Sequence, residues 1–342
     1  VLATRAQLIA IEQNVLLDAA VAYMNLHRAI QAQSLRASNV NLIKEQLRAA
    51  QDRFDVGEVT RTDVATAEAR LAAAKSQLAQ ANGDRTRAAA EFQRAVGRKP
   101  GAVRAPGRLP RISSNVNSAI HTARQGHPDL QAIQHQIKAA ELTVEGAKLA
   151  RMPQVTLNSS ATIDNTPGNG LQTQLGLRAS GVLYSGGAIS SQIRAAMAQR
   201  DATRAALHST QHLIDQSVQN AYVLLNVARA SGTAGDEQIR ASEVAFKGIQ
   251  EEALLGARTT LDVLNAEQEL LDARNSRISA GVDEQIAAYT ILAATGQLTA
   301  QALNLGVTIY DPTEYYNLVR TAPTSRSAQG KALDRVLKSI GQ

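Results

Sequence analysis

Cysteine and tryptophan are absent from the 342-residue sequence, and phenylalanine occurs only three times. Without cysteine, the chain forms neither a disulfide nor a cysteine-based zinc site. A compact globule of this length normally uses more aromatic side chains to fill its centre. The apolar residues, 44% of the chain, are mostly Ala, Leu, Val and Ile, which is typical of helices packed closely side by side.

Long apolar runs and blocks of one charge are also missing. No stretch reaches the ~18 apolar residues that a transmembrane helix requires. The net charge is +6, but basic and acidic residues are interleaved, as on solvated helix faces. Nucleic-acid binding uses a basic stripe with stacking aromatic side chains, so the composition argues against nucleic acid as a partner.

A duplication organises the chain. Residues 3–97 align without a gap with residues 202–296, and 24 of these 95 positions are identical. Gly57 falls on Gly256 in this alignment, and the glycine that ends each copy is also shared. Paired glycines in a gapless alignment indicate that one structural unit occurs twice.

Each copy is predicted to contain two long helices separated by a short break. The first helix spans about 1–53 in one copy and about 188–253 in the other, or roughly 80–100 Å at 1.5 Å per residue. The break holds the first pair of glycines. The next helix begins near Asp63 or Asp262 and ends at the second pair, because glycine favours the position just past a helix C terminus.

The second helix of each copy carries an apolar seam with alternating steps of three and four residues. This sustained 3.5-residue period predicts left-handed coiled-coil packing. Arg85 interrupts the first seam, and Arg277 and Glu284 interrupt the second. The first seam comprises Val64, Ala67, Leu71, Ala74, Leu78, Ala81, Ala88, Phe92 and Ala95, and the second comprises Val263, Ala266, Leu270, Ala273, Ala280, Ala287, Ile291 and Ala294.

The first of these helices also has a second face of small residues. Such a face allows a helix to contact neighbours on both sides, as in a closed helical barrel. Periodicity alone leaves an ordinary coiled-coil rod as the alternative. The face consists of Ala65, Ala69, Ala72 and Ala79.

Between the two copies the pattern changes. Residues 98–114 are rich in Pro and Gly and predict a loop, followed by helices at about 115–125 and 129–151. Residues 153–184 then alternate apolar and polar side chains and predict a β-hairpin with its turn at 165–170. Strands of this length, apolar on one face, suit a tilted membrane-spanning barrel. A soluble hairpin with one face on a core is the alternative.

A single hairpin has unpaired edges, which a bilayer does not tolerate. Further strands are therefore expected to close it. The repeat places the equivalent hairpin of the first copy before Val1. We therefore expect that roughly a hundred N-terminal residues precede this sequence, and that a full protomer has four strands, two of which are present here.

Several motifs occur in a fixed order around the duplicated helices. They are RFDVG at 53–57, TDV at 62–64, LYSGG at 183–187, GARTTLDVL at 256–264 and YDP at 310–312. In this combination the chain resembles the TolC family of outer-membrane efflux proteins over nearly all of residues 1–320. Val182 stands where the family pattern has a Pro.

The resemblance implies a single outer-membrane efflux domain over residues 1–342. The expected fold is mainly α with a β-hairpin: a homotrimeric long α-helical barrel continuous with a transmembrane β-barrel. The chain would lie in the cell outer membrane, against its lipid, with a long periplasmic extension. Its expected partners are a periplasmic adaptor protein and an inner-membrane transporter.

The function that the resemblance implies is a passive exit channel of a tripartite efflux pump or a type I secretion system. It implies no enzyme activity, no cofactor and no metal. The alternative is a periplasmic or cytosolic coiled-coil adaptor or scaffold. An adaptor would have one helical hairpin flanked by many short strands, whereas this sequence predicts two helix pairs and one β-hairpin.

Two sets of site residues carry over from the family. Thr62, Asp63 and Arg258 match a periplasmic gate that polar links between helix pairs hold closed, while Ala253 replaces a family tyrosine in that gate. Asp262 and Asn265 match a pore constriction. The plain interpretation of Asp63 and Asp262 is helix N-capping. One acidic ring instead of two predicts weaker cation selectivity.

Other chemistry has weaker support in the sequence. His208 and His212 lie one helical turn apart, with Asp215 three residues further on, but no fourth metal ligand is evident. Two surface histidines on a polar helix face are the favoured interpretation. Gly186-Gly187 lacks a following Lys-Ser or Lys-Thr pair and predicts a strand-to-helix turn. The basic tail, 320–342, is predicted to be disordered or loosely draped.

Overall fold

The computed structural model describes residues 1–163, 171–307, 311–320 and 326–339. Its elements are α1 (Leu2–Asp55), α2 (Arg61–Val96), α3 (Val116–Gly126), α4 (Pro128–Leu149), β1 (Gln154–Ile163), β2 (Leu171–Ser180), α5 (Ala188–Leu254), α6 (Thr260–Ala294), α7 (Pro312–Val319) and α8 (Ala328–Ser339). The fold is mainly α with a β-hairpin, as predicted. Among the described helices, none is long and apolar enough to span a membrane.

The chain divides into two units. One comprises Val1–Gln7 and Pro128–Leu213, and the other comprises Leu8–His127 and Ile214–Gln342. The first unit contains α4, the β-hairpin and the beginning of α5. Within it, Arg204 of α5 donates a hydrogen bond to Glu141 of α4 at 2.7 Å. Gly186 and Gly187 adopt positive φ angles of 59° and 89° immediately before α5, which confirms the predicted strand-to-helix turn.

The register of the hairpin produces one mainly apolar face and one polar face. β1 and β2 are antiparallel, with Val155 opposite Ala179 and Leu157 opposite Leu177. Because side chains alternate along a strand, this register places the apolar residues of both strands on one face, together with Ser159 and Thr173. Gln, Asn, Arg and the other Ser and Thr residues lie on the opposite face. Leu177 is 75% exposed on the apolar face. The predicted turn at 165–170 lies outside the described residues.

The second unit contains the remainder of the duplicated helices, and the predicted seams are buried there. In α2 the buried positions are Ala67, Ala74, Ala81, Ala88 and Phe92. In α6 a wider face is buried, so that Leu264, Glu267 and Leu271 join the seam residues. The coiled-coil period therefore predicts which residues are covered. It does not predict the second buried face of α6.

Polar residues at the interrupted seam positions join neighbouring helices. Arg85 of α2 donates to Gln33 of α1 at 3.0 Å. Arg277 of α6 donates to Asp236 of α5 at 2.6 Å. Glu284 of α6 accepts a hydrogen bond from Arg229 of α5 at 2.9 Å. Each polar slot thus has a specific partner on the adjacent helix, and such pairs fix helix register.

Two repeat-equivalent tyrosines anchor the segment between α2 and α3, which has no regular secondary structure. The Tyr23 hydroxyl of α1 donates to the carbonyl of Arg104 at 2.8 Å. The Tyr222 hydroxyl of α5 donates to the carbonyl of Ser113 at 2.6 Å. The predicted loop at 98–114 is therefore held at Arg104 and at Ser113 by the same residue type at equivalent positions of the repeat.

The C-terminal segment differs from its prediction. Of the two alternatives predicted for 320–342, disorder is wrong for 328–339, which form α8. The Ser327 hydroxyl accepts a hydrogen bond from the Gly330 amide at 2.9 Å, as an N-cap residue does. The half-buried side chains of this helix recur with helical spacing at Ala332, Leu333, Val336 and Leu337. The basic composition of the segment concealed this amphipathic pattern.

Candidate functional site at the two interhelical turns

The breaks between α1 and α2 and between α5 and α6 are tight turns with the same backbone. Gly57 and Gly256 have φ angles of 80° and 78°, a left-handed conformation that strains other residues. The Gly57 amide donates to the Phe54 carbonyl at 2.9 Å, and the Gly256 amide donates to the Ala253 carbonyl at 3.2 Å. These bonds satisfy carbonyls that the helix ends leave free.

Reciprocal hydrogen bonds begin the helix after each turn. The Thr60 amide donates to Asp63 Oδ2 at 2.9 Å, and the Asp63 amide donates to Thr60 Oγ1 at 3.3 Å. Thr259 and Asp262 make the same pair at 3.0 Å and 3.2 Å. Both aspartates complete capping boxes, so the predicted capping role is confirmed. Hydrogen bonds from the threonines lower the pKa of both carboxyls.

The other two predicted gate residues are exposed at the same turns. The side chain of Thr62 lies on the first turn of α2. Arg258 donates through Nε to Glu252 Oε2 at 2.7 Å, and the hydrogen bond to Glu252 raises the pKa of the guanidinium. Within the part of the chain that the structure describes, Arg258 therefore binds its own turn rather than Thr62 or Asp63.

The two turns carry ion pairs of opposite polarity. In the first turn, Arg53 donates to Glu58 at 3.1 Å. In the second turn, Glu252 occupies the position equivalent to Arg53 and accepts from Arg258. An ion pair thus spans each turn, with opposite charges at the equivalent positions Arg53 and Glu252 and with partners, Glu58 and Arg258, that differ by one position in the repeat.

A link between the helix pairs was missed by sequence reasoning. Arg53 Nη2 donates to the carbonyl oxygen of Ala253 at 3.1 Å. Ala253 is the position at which the family pattern has a tyrosine, so an arginine of α1 contacts α5 at the level of the absent latch. The arginine stands in the RFDVG motif, but its acceptor is a backbone oxygen, which no side-chain pattern reveals.

The two predicted constriction residues have different surroundings. Asp262 belongs to the capping box. Asn265, one turn further along α6, is exposed, and its Oδ1 accepts a hydrogen bond from Arg70 Nη2 of α2 at 2.8 Å. A cation therefore lies beside the position that lacks a carboxylate, and the neutral amide does not offset its charge.

The alternative metal site is not assembled. Both carboxylate oxygens of Asp215 accept hydrogen bonds from Arg124 of α3, at 2.9 Å and 2.5 Å. His208 and His212 are exposed. Among the described residues, no group of three or more His, Cys, Asp or Glu side chains is arranged to hold a metal ion.

The family model of outer membrane efflux proteins matches residues 1–98 and 119–297. The chain belongs to the outer membrane efflux protein family. The outer membrane efflux protein BepC of Brucella suis biovar 1 is 36% identical over 314 residues, which cover 90% of this chain and 69% of BepC. The outer membrane protein TolC of Escherichia coli is 23% identical over 311 residues, covering 85% of this chain and 63% of TolC.

The fold is shared with solved structures of such proteins. The CmeC outer membrane channel of Campylobacter jejuni superposes with a TM-score of 0.77 at 17% identity, over 87% of this chain and 65% of CmeC. The chain thus spans about two thirds of the length of these proteins. The predicted TolC-type fold and the predicted relationship to outer-membrane efflux channels are confirmed.

Proposed function

We propose that the intact protein of this outer membrane efflux family is a homotrimeric exit channel that crosses the outer membrane and extends into the periplasm. It acts as a passive conduit without catalytic chemistry. A periplasmic adaptor and an inner-membrane transporter complete the pathway, either in a tripartite efflux pump or in a type I secretion system. Outer-membrane lipid contacts the apolar face of the hairpin.

The observation that carries the proposal is an asymmetry between repeat-equivalent helix faces. Within the chain, α6 packs against α1: Leu264 shares a core cluster with Val40 and Ile43, and Leu271 borders a small cavity together with Leu35. The positions equivalent to Leu264 and Leu271 on α2 are alanines, and both are exposed.

The face of α5 equivalent to the covered face of α1 is also open. Its Val223, Leu224 and Val227 are 59%, 56% and 57% exposed. In α1 the counterpart of Val223 is Met24, which is 5% exposed. This uncovered apolar face of α5 is therefore available to α2 of a second copy, because the Arg28–Asp283 pair between α1 and α6 places Val227 level with Asp84 by repeat equivalence. Repeating the α1–α6 contact between copies closes a ring of helix pairs.

The turns supply the gate in this proposal. Thr62 and Asp63 of one helix pair accept hydrogen bonds from Arg258 of a neighbouring pair in the closed ring, after Arg258 leaves Glu252. Charge-assisted bonds of this kind are directional, yet an exposed pair is worth only ~0–1 kcal/mol. Arg53 adds a tie to Ala253 inside each copy. Adaptor binding at the turns would break both kinds of link.

Asp262 forms the acidic part of the constriction, with Asn265 one turn away. Arg70 reduces the negative potential there, because it lies at hydrogen-bond distance from Asn265. A pore with one acidic ring and a nearby ring of arginines is weakly cation-selective. The hydrogen bond between Arg70 and Asn265 supports adding Arg70 to the residues proposed for this constriction.

Reconstitution of the intact protein in a planar lipid bilayer tests the proposal. Trimeric protein extracted from outer membranes is expected to produce single-channel currents. Folded trimers that insert into the bilayer without conducting ions would contradict the channel and favour a scaffold.

A further inference from the structure

A buried carboxylate lies between α1 and α6. Glu267 of α6 is 4% exposed, and Asn39 of α1 is 6% exposed. Asn39 Nδ2 donates a hydrogen bond to Glu267 Oε1 at 2.6 Å. Among the described residues, Glu267 Oε2 has no hydrogen-bond partner. A buried carboxylate with one satisfied oxygen is costly in its charged form.

The carboxylate borders a small cavity of about 80 Å³ between the two helices. Two leucines from each helix line it, together with Asn39, Glu267, Ser38 and Arg274. The Ser38 hydroxyl donates to the Ser34 carbonyl at 3.1 Å. A cavity of this size accommodates water. When Glu267 is neutral and Oε2 carries the proton, this hydroxyl can donate a hydrogen bond to such a water.

The cations near this contact are engaged elsewhere. Arg274 of α6 donates to Glu243 of α5 at 2.6 Å. Arg70 of α2 donates to Asn265 at 2.8 Å. Arg36 of α1 donates to Gln77 of α2 at 2.8 Å. The α1 residues that border the cavity carry no charge. Within the described residues, no cation therefore forms an ion pair with Glu267.

Burial raises the pKa of the Glu267 carboxyl. Desolvation raises the pKa of Glu267 from 4.5 to about 7, and the hydrogen bond from Asn39 opposes this increase. The repeat-equivalent Glu68 of α2 is exposed, because no helix within the chain covers this face of α2 as α1 covers α6. The unusual environment therefore arises from the α1–α6 contact.

We propose that Glu267 is a proton-binding site that makes the α1–α6 contact depend on pH. The neutral carboxyl lets the two helices pack, and the ionised carboxylate draws water between them and loosens the contact. The contact lies within one chain, so its dependence on pH does not require that the protein is a channel. If the channel is correct, the loosened contact lies five residues beyond Asp262 on α6 and favours the open gate.

The direction of the pH effect follows from linkage. The folded chain holds the Glu267 proton to a higher pH than the unfolded chain does. Stability from this site is therefore greatest below pH 4.5, falls as the pH rises from 4.5 to about 7, and is lost above that range. This is opposite to the usual behaviour of a carboxylate in a salt bridge.

Infrared difference spectroscopy on the intact protein detects the proton directly. Between about pH 5 and about pH 9, the wild type is expected to lose the carbonyl band of a protonated carboxylic acid with a midpoint near neutrality. The Glu267→Gln variant should lack this band change. Glu269→Gln, which replaces an exposed carboxylate of the same helix, should retain it. A band that persists in Glu267→Gln overturns the proposal.

Hydrogen exchange measures the helix contact itself. Wild type and Glu267→Gln are compared at the same pH, so that the intrinsic chemical exchange rate is the same in both. Above neutral pH, the amides of α1 and α6 near Asn39 and Glu267 are expected to exchange faster in the wild type than in the variant. Below about pH 5, the two proteins are expected to exchange at equal rates. Asn39→Ala removes the bond that favours the charged form, so its infrared midpoint should move to higher pH. Equal exchange at every pH, or an unmoved midpoint, overturns the proposal.

Discussion

Arg53 of α1 and Ala253 of α5 are joined by a hydrogen bond of 3.1 Å from the guanidinium to the backbone carbonyl. The bond connects the ends of two helices that belong to different copies of the repeat. It also lies where the family pattern has a tyrosine on α5. In this chain the side chain that makes the contact comes instead from α1. Because the acceptor is a backbone atom, no substitution at Ala253 itself removes it.

Replacing Arg53 tests the importance of this tie. We expect Arg53→Gln to increase the open probability of the reconstituted channel by up to about tenfold, because a hydrogen bond of this type contributes ~0.5–1.5 kcal/mol. The matched control is Arg48→Gln, which replaces an exposed arginine of the same helix that makes no such bond to another described residue. Equal open probabilities in the two variants would show that the tie does not hold the gate.

The two capping boxes predict equal stability losses. Thr60→Ala and Thr259→Ala each remove a hydroxyl that accepts a backbone N–H, and we expect a loss of ~1 kcal/mol per site. Thermal unfolding of the intact protein measures the change. Thr66→Ala is the control, since its hydroxyl only donates to the Thr62 carbonyl within α2. Losses no larger than in the control would mean that the boxes contribute little.

The proposed constriction predicts how two single variants and one double variant change the ion selectivity of the channel. Asp262→Asn should move the reversal potential in a salt gradient toward anions. Asn265→Asp alone should have a small effect, because Arg70 lies in position to pair with the new carboxylate. Adding Arg70→Gln to Asn265→Asp should then produce strong cation selectivity. A full cation shift from Asn265→Asp alone would contradict the role of Arg70.

The ring predicts which positions of different copies meet. By repeat equivalence, Gln238 of one copy should lie near Glu68 of the next, as Asn39 lies near Glu267 within a copy. These 342 residues contain no cysteine, so a thiol reagent reacts with them only at introduced cysteines. A short bifunctional thiol reagent should convert Gln238→Cys/Glu68→Cys into covalent trimers, and Asn39→Cys/Glu267→Cys into monomers linked internally. Internal linkage in both variants would contradict the ring.

Local features were predictable from the sequence because neighbouring residues determine them. The positive φ at Gly57 and Gly256, the capping boxes at Asp63 and Asp262 and the seams of α2 and α6 all depend on residues within a few turns. The partners of Arg53, Asn265 and Glu267 were not predictable. They lie about two hundred residues away, and lateral helix packing rather than local pattern brings them together.

The tail shows a different reason for a wrong prediction. Composition suggested disorder, but Ser327 caps a short helix whose half-buried residues recur with helical spacing. A search for the capping residue and the spacing, instead of overall polarity, would have identified α8. The position of Arg258 was also unforeseen, because Glu252 of its own turn competes with partners on a neighbouring copy.

The central claim is that the protein encloses a conducting lumen closed at the interhelical turns by Arg258. Single-channel conductance of the intact wild-type protein and of Arg258→Ala, measured side by side in a planar bilayer, tests it most directly. The account predicts a small, weakly cation-selective conductance in the wild type and a larger one in the variant. Equal conductances would contradict the latch at Arg258, and folded trimers without conductance would contradict the channel itself.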